Sequence, residues 1–235
     1  MFRLLANSAP SRAVWGGVLA VALLASNSGC VNALALVSKM VLGDPKATSQ
    51  FESSTGVNLK EKNSGIIIHC TAPLSVTEVA ETLPSDAEGE LVRRMKLKKM
   101  AIIDQNRVVE ALDSHGGRYN TEVLMHDLPD ARYLFEIRIE RYSIREPHTP
   151  TMYHGRCQGT IVGYEFEGDP GDKPGSSSPR RMAQVFEREF NVEYPTGHPI
   201  PREQMSDSSF RKMFVGKLAQ QLGNMFYDVT SKELL

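Results

Sequence analysis

Charge of one sign is what this sequence lacks most plainly. Its 27 lysines and arginines stand against 28 aspartates and glutamates, a formal net charge of -1 over 235 residues. A chain without a net field has no general attraction for nucleic acid or other polyanions. It also lacks any self-similar period of 20 to 50 residues, which removes solenoids, propellers and collagen-like arrays. Cysteine is scarce at three, and the six histidines fall in no HxxxH or HExxH pattern; without those, or a CxxC, no compact zinc pattern exists. The nucleophile elbow GxSxG, the phosphate loop GxxxxGK and the dinucleotide fingerprint GxGxxG are absent as well. The expectation is a non-enzymatic protein with no catalytic residues, no metal, no cofactor and no nucleic-acid partner. The 23% charged and 41% hydrophobic content is the balance of a globular domain able to bury a core.

Acid is missing from the front of the chain altogether, the first being Asp44. Arg3 and Arg12 precede the apolar run AVWGGVLAVALLA at 13–25, and small residues lead to Cys30. These are the parts of an export signal: a positive start, an apolar middle and a cleavable end. Thirteen helical residues rise about 20 Å, short of the roughly 30 Å hydrocarbon core. Apolar character resumes through VNALALVSKMVL at 31–42, and the two runs together are long enough to reach across a bilayer. The end of the signal resembles the lipobox of bacterial lipoproteins in Ser28, Gly29 and Cys30, while Asn27 stands where that family carries an aliphatic residue. Four outcomes stay open: lipidation at Cys30, an uncleaved membrane anchor, cleavage to a secreted protein, or a buried helix in a cytoplasmic one. The first three place the domain at or beyond the cytoplasmic membrane, held to it by lipid or helix in the first two. With Cys30 lipidated, Cys70 and Cys157 remain as a pair in a compartment that permits disulfides. They are read either as bridged or as two separate buried thiols.

The chain divides into a signal or anchor at 1–29, a lipid-anchor region and flexible tether at 30–65, and one globular domain at 66–231. GIIIHC from Gly65 reads as a strand buried on both faces. Residues 86–99 read as a helix with acids at its start, bases at its end and a Leu91, Val92, Met95 stripe. AIID at 101–104 reads as a second strand. Asp104 then caps a short helix carrying Val108, Val109 and Leu112, ended by Gly116 and Gly117. The period changes to two in RYLFEIRIERYS, where Tyr133, Phe135, Ile137 and Ile139 face the core. Further strands follow at 153–167, with Gly159 and Gly163 marking bulges or close packing, and at 183–194, where Phe186, Phe190, Val192 and Tyr194 alternate with Glu187, Glu189, Asn191 and Glu193. A turn-rich hairpin tip, GDPGDKPGSSSPRR, joins them. Ser206 caps a closing helix of about 22 residues bearing Phe210, Phe214, Leu218, Leu222, Met225 and Val229. The fold class is α+β: βαβα, then a three-stranded antiparallel meander and a long C-terminal helix packed on one sheet face.

Two surface features invite a role. The five bases between Arg93 and Lys99 suit a solvated helix end better than a lipid contact. In YSIREPHTPTMYHGR, Tyr142, Arg145, Tyr153 and Arg156 flank a connection stiffened by Pro147 and Pro150. Tyrosine and arginine there suit a partner surface, although the prolines alone also explain a hairpin turn. Taken in order, the lipobox, the tether, IIIHC, AIIDQNRVVEAL, ARYLFEIRIERYSIREP and FRKMFVGKLAQQLGNMFYD resemble a family of uncharacterised bacterial envelope lipoproteins. Its relatives include the curli-secretion component, penicillin-binding-protein activators and the amino-terminal domain of the Tol translocation protein. That resemblance implies an envelope location and an adaptor or accessory role with an envelope protein as partner. It carries over Cys30 and no catalytic residue. It also leaves open a homo-oligomeric secretion-channel subunit, and a hydrolase with an unrecognised site is the remaining alternative.

Overall fold

Why the strands sit where they do follows from which of their faces are apolar. The computed structural model describes residues 46–60, 64–168 and 180–230. The signal run, Cys30 and most of the GDPGDKPGSSSPRR tip lie outside the described residues. The main compact unit is Thr48–Val229; Lys46, Ala47 and Thr230 belong to a second unit. In chain order the main unit contains α1 (Gln50–Thr55), β1 (Gly65–Thr71), α2 (Leu74–Thr77), α3 (Leu83–Leu97), α4 (Gln105–Asp113) and α5 (Thr121–Asp127). It continues with β2 (Ala131–Glu146), β3 (Thr149–Glu167), β4 (Arg181–Tyr194), the two-residue β5 (Ile200–Pro201) and α6 (Asp207–Gly223). The sheet order is β1-β2-β3-β4, with β5 added to the start of β3. β1 and β2 are parallel, and β2, β3 and β4 form the antiparallel meander. This is the α+β arrangement expected from the sequence, closed by a helix on one sheet face.

Ile66, Ile68 and Cys70 of β1 point into the larger core with Tyr133, Phe135, Ile137 and Ile139 of β2, while Ile67 points the other way into a smaller core with Leu134. β1 is therefore buried on both faces, as its unbroken apolar run requires. α3 supplies Leu83, Ala87, Leu91 and Met95, and α6 supplies Phe210, Phe214, Leu218 and Leu222, to the larger core. The smaller core is closed by Val108 and Ala111 of α4 and Leu124 of α5. β2 consequently departs from a strict core face and wet face: Leu134 is fully buried and Glu136 is 6% exposed, because α4 and α5 lie over that half of the sheet.

Four local expectations are corrected. AIID forms no strand; only Ile102 makes a single parallel bridge to Ile66, and Asp104 then turns the chain into α4 by accepting the Asn106 N–H at 2.9 Å. Val109 is exposed, and Ala111 takes the inward place beside Val108. Part of the stretch read as flexible tether is packed: Ser49 caps α1, and Phe51 is fully buried with edge-to-face contacts to Tyr133, Phe135 and Phe186 at 5.8, 5.3 and 5.5 Å. One aromatic between polar residues leaves no periodicity to read. Finally, α6 has 17 residues, not about 22, because at Gly223 the ring of Tyr227 folds back against the backbone. Among the described residues no helix is long and apolar enough to cross a membrane.

The two glycines of β3 singled out in the sequence, Gly159 and Gly163, mark close packing, and β3 shifts register against β4 between Gly163 and Tyr164. A Cβ at Gly163 would stand 2.7 Å from the Phe135 ring, and one at Gly159 would run into the Arg138 carbonyl oxygen and the Phe190 ring. Backbone cannot yield as a side chain tip can. Gly159→Ala is expected to cost about 3 kcal/mol, the upper end for overpacking, read as a lower urea midpoint at an unchanged denaturant slope.

Candidate functional site

Of the four residues nominated as a partner surface, Tyr142, Arg145 and Tyr153 gather against α6, while Arg156 lies on the opposite face of the sheet. Ser206 ends the extended chain before α6, its hydroxyl accepting the Ser209 N–H at 3.2 Å, and this places Asp207 in the first turn. Asp207 accepts hydrogen bonds from the Tyr153 hydroxyl, from Arg145 at 3.0 Å and from Arg202 at 3.2 Å. The Tyr153 hydroxyl foremost, then the two guanidinium groups, hold the Asp207 carboxyl below the ordinary aspartate range. A carboxylate there also complements the helix N-terminus. Tyr153 is 1% exposed and stacks on Phe210 at 4.6 Å. Tyr142 stacks on Phe214 at 5.8 Å with its hydroxyl beside Arg211. Arg156 pairs with Glu146 at 2.9 Å. Tyr142 and Tyr153 are thus corrected from surface to packing residues, forming a clasp that pins α6 to the β2–β3 hairpin; alternation along β3 turns Tyr153 inward, and the register shift between Ile139 and Arg141 turns Tyr142 to the same face.

The two cysteines are free buried thiols. The candidate Cys70–Cys157 bridge is absent because β2 runs between the strands that carry them. Two inter-strand spacings already amount to about 10 Å, and Cys70 lies opposite Ile137 whereas Cys157 lies opposite Tyr142, so the Cα atoms stand beyond the roughly 7 Å limit for a disulfide. Burial pushes the Cys157 thiol up to about 12 and Cys70 up as well, so neither supplies a thiolate at neutral pH.

An opening lies between α3 and α6. Both helices return antiparallel to β1, so they run side by side in the same direction. α3 presents Asp86, Gly89, Glu90 and Arg93 to it, and α6 presents Arg211, Lys212 and Gly216, in each case one helical face. The cavity has a volume of about 830 Å³. Open space lies over both glycines: a Cβ at Gly89 would meet nothing within 4 Å, and one at Gly216 only the tip of Arg94 at 4.0 Å. Glu90 is held by Arg93 at 2.6 Å and Arg94 at 2.9 Å. Spacing in the sequence placed Asp86 and Arg93 on a helix, but nothing there indicated that α6 lies alongside.

A second polar group gathers at the far end of β1. The Tyr119 ring stacks on His69 at 4.1 Å and its hydroxyl donates to the buried Glu136 at 2.6 Å, while Arg138 pairs with the other Glu136 oxygen. Glu88 accepts the Cys70 backbone N–H at 2.6 Å and lies 3.7 Å from His69 Nδ1. Burial pushes the Glu88 carboxyl up to about 7, the Cys70 N–H opposing it only in part. Burial also lowers His69, so the His69–Glu88 contact is not an ion pair at neutral pH. These groups satisfy one another: the bond that could activate Tyr119 instead raises its hydroxyl far above the ordinary phenol range, after burial has begun the shift. Among the described residues no three His, Cys, Asp or Glu side chains gather as a metal site.

No family model and no curated protein matches the chain. Among solved structures, a point variant of the PelC dodecamer from Paraburkholderia phytofirmans is 10% identical over 78% of this chain and 97% of its own, at a TM-score of 0.39. Lipoprotein GNA1162 from Neisseria meningitidis is 9% identical over 68% and 99%, also at 0.39. A minor lipoprotein from Acinetobacter baumannii is 13% identical over 69% and 91%, at 0.29. None of these likenesses reaches a TM-score of 0.5, and none identifies this chain.

The raised Glu88 carboxyl gives a pH dependence of known sign. Its folded-state affinity for the proton exceeds that of the unfolded chain, so its contribution to stability is complete below about 4.5 and is lost as pH rises through about 7. Glu88→Gln keeps an acceptor for the Cys70 N–H and removes the charge. The variant should be more stable than wild type at pH 8, by up to about 3 kcal/mol, and nearly equal to it at pH 5, in urea titrations at both values. Separately, iodoacetamide should leave Cys70 and Cys157 unmodified in the native protein and alkylate both in urea, read by peptide mass mapping.

Proposed function

We propose that this chain is a membrane-tethered accessory protein of the bacterial cell envelope that works by holding another envelope protein, with no chemistry of its own. The observation that carries this reading is the groove between α3 and α6. Two glycines line it and both charge signs border it. Glycine in mid-helix costs about 0.5–1 kcal/mol relative to alanine, and at Gly89 no packing contact offsets that cost, since the missing Cβ would touch nothing. The acid-free front of the chain supports the location: Arg3, Arg12, the apolar run and Cys30 read as an address and an anchor. The polar chain from His69 to Arg138 supports a structural role for the groups that would otherwise suggest a hydrolase, since each is engaged by its neighbour.

The test has two parts. Wild type should fractionate with membranes and Cys30→Ala should not; wild type and Cys30→Ala appearing identically in the soluble cytosol would end the envelope reading. Gly89→Ala should raise stability by about 0.5–1 kcal/mol, and Gly89→Trp should fill the groove with the fold intact. A partner recovered with detergent-extracted wild type after crosslinking should be retained by Gly89→Ala and lost with Gly89→Trp.

A further inference from the structure

The two edges of the sheet are treated differently. At β1, Ile66 donates to the Ala101 carbonyl at 2.8 Å and its own carbonyl accepts the Ile103 N–H at 2.9 Å. Further along the same edge, the Cys70 N–H is taken by the Glu88 carboxylate. The chain thus covers this edge with a crossing segment and a side chain. β4 is the other end of the strand order, and its 14 residues pair with β3 alone among the described residues. An edge of that length, about 46 Å at 3.3 Å per residue, presents a row of backbone donors and acceptors to which another strand can add.

Its side chains specify which strand. On the face not covered by α3 and α6, β4 presents Glu187, Glu189, Asn191 and Glu193, all exposed. Three bases on the same open face belong to inner strands: Arg138 is paired to Glu136, Arg156 to Glu146, and Arg141 reaches the Gln158 amide oxygen at 3.5 Å. Glu187 accepts only from Gln184 at 2.8 Å, and Glu193 lies 3.9 Å from His154. Arg188, opposite Ile161, belongs to the other face. The edge is therefore acidic at three of these four alternate positions, with the neutral Asn191 between Glu189 and Glu193. A second copy of this chain does not suit it. Pairing β4 with β4 about an axis normal to the sheet, at any residue from Glu187 to Asn191, sets two of these carboxylates directly opposite each other, which is destabilising. The β1 edge of a second copy is already covered.

We infer that the β4 edge takes an extended segment of another protein by strand addition, with lysine or arginine at alternate positions facing Glu187, Glu189 and Glu193. The inference stands on the sheet edge and not on the α3–α6 groove. Backbone hydrogen bonds would hold the segment, and the alternating charges would fix its register and exclude acidic strands.

The test uses the full chain in detergent and a labelled peptide of alternating valine and lysine. Three comparison peptides carry glutamate in place of lysine, the same residues in two blocks, or N-methylated backbone amides. The alternating basic peptide should bind and slow deuterium exchange at alternate amides of 182–193, while the other three bind at least tenfold more weakly. The combined Glu187→Lys, Glu189→Lys, Glu193→Lys protein should reverse the preference toward the glutamate peptide. Equal binding of the N-methylated peptide, or no slowing of exchange in β4, would overturn strand addition, and neither measurement depends on that variant folding. Gly89→Trp should bind the peptide as wild type does; loss of binding there would move the site to the groove and overturn the assignment to β4.

Discussion

The structure depends on unequal cover of the two sheet faces. α3 and α6 lie over one face and build the larger core there, whereas α4 and α5 cover β1, the first half of β2 and the end of β3 at Tyr164 and Phe166. Everything else follows from that imbalance. β1 must be apolar on both sides, β2 must change from doubly buried to half-wet along its length, and β3 and β4 are left with an open polar face. The long α6 cannot slide on its face, because Asp207 binds Tyr153, Arg145 and Arg202 at one end and Gly223 stops it at the other.

The same imbalance accounts for where charge collects. Under α4 and α5, a buried carboxylate such as Glu136 needs dedicated partners, and Tyr119 and Arg138 supply them. A buried charge without partners would shift its pKa or neutralise, which is the course Glu88 takes with one backbone N–H to bond. On the open face no such demand exists, so Glu187 and Glu189 stand in water at little cost. Inner-strand acids such as Glu136, Glu146 and Glu165 are each paired with an arginine, whereas among the described residues Glu187 and Glu189 on the outer strand are not, so unpaired acid collects at that edge although the whole chain is nearly neutral.

Much of the fold was legible because it rests on periodicity. The triple isoleucine of β1, the alternation in β2 and β4, the stripe of α6 and the tight packing at Gly159 and Gly163 are all statements about neighbours two, three or four positions apart. Features without a period were missed. Phe51 is a lone aromatic in a polar segment, α5 is seven residues with one buried side chain, Leu124, and the place of Ile102 depends on Ile66 thirty-six positions earlier. Tyr142 and Tyr153 were misread for a related reason: a tyrosine beside arginines and prolines looks like a binding loop until strand alternation assigns its face.

From its own residues the chain determined an acid-free, apolar front, an α+β order of elements and a lack of the common catalytic motifs, because each of these is encoded locally. Only the tertiary structure decided that α3 and α6 run side by side and leave a groove at Gly89 and Gly216, that β2 separates Cys70 from Cys157, and that one edge of the sheet is covered while the other is open. Those are relations between segments far apart in the chain. They are settled by which apolar faces can be buried together, a competition that no local pattern records.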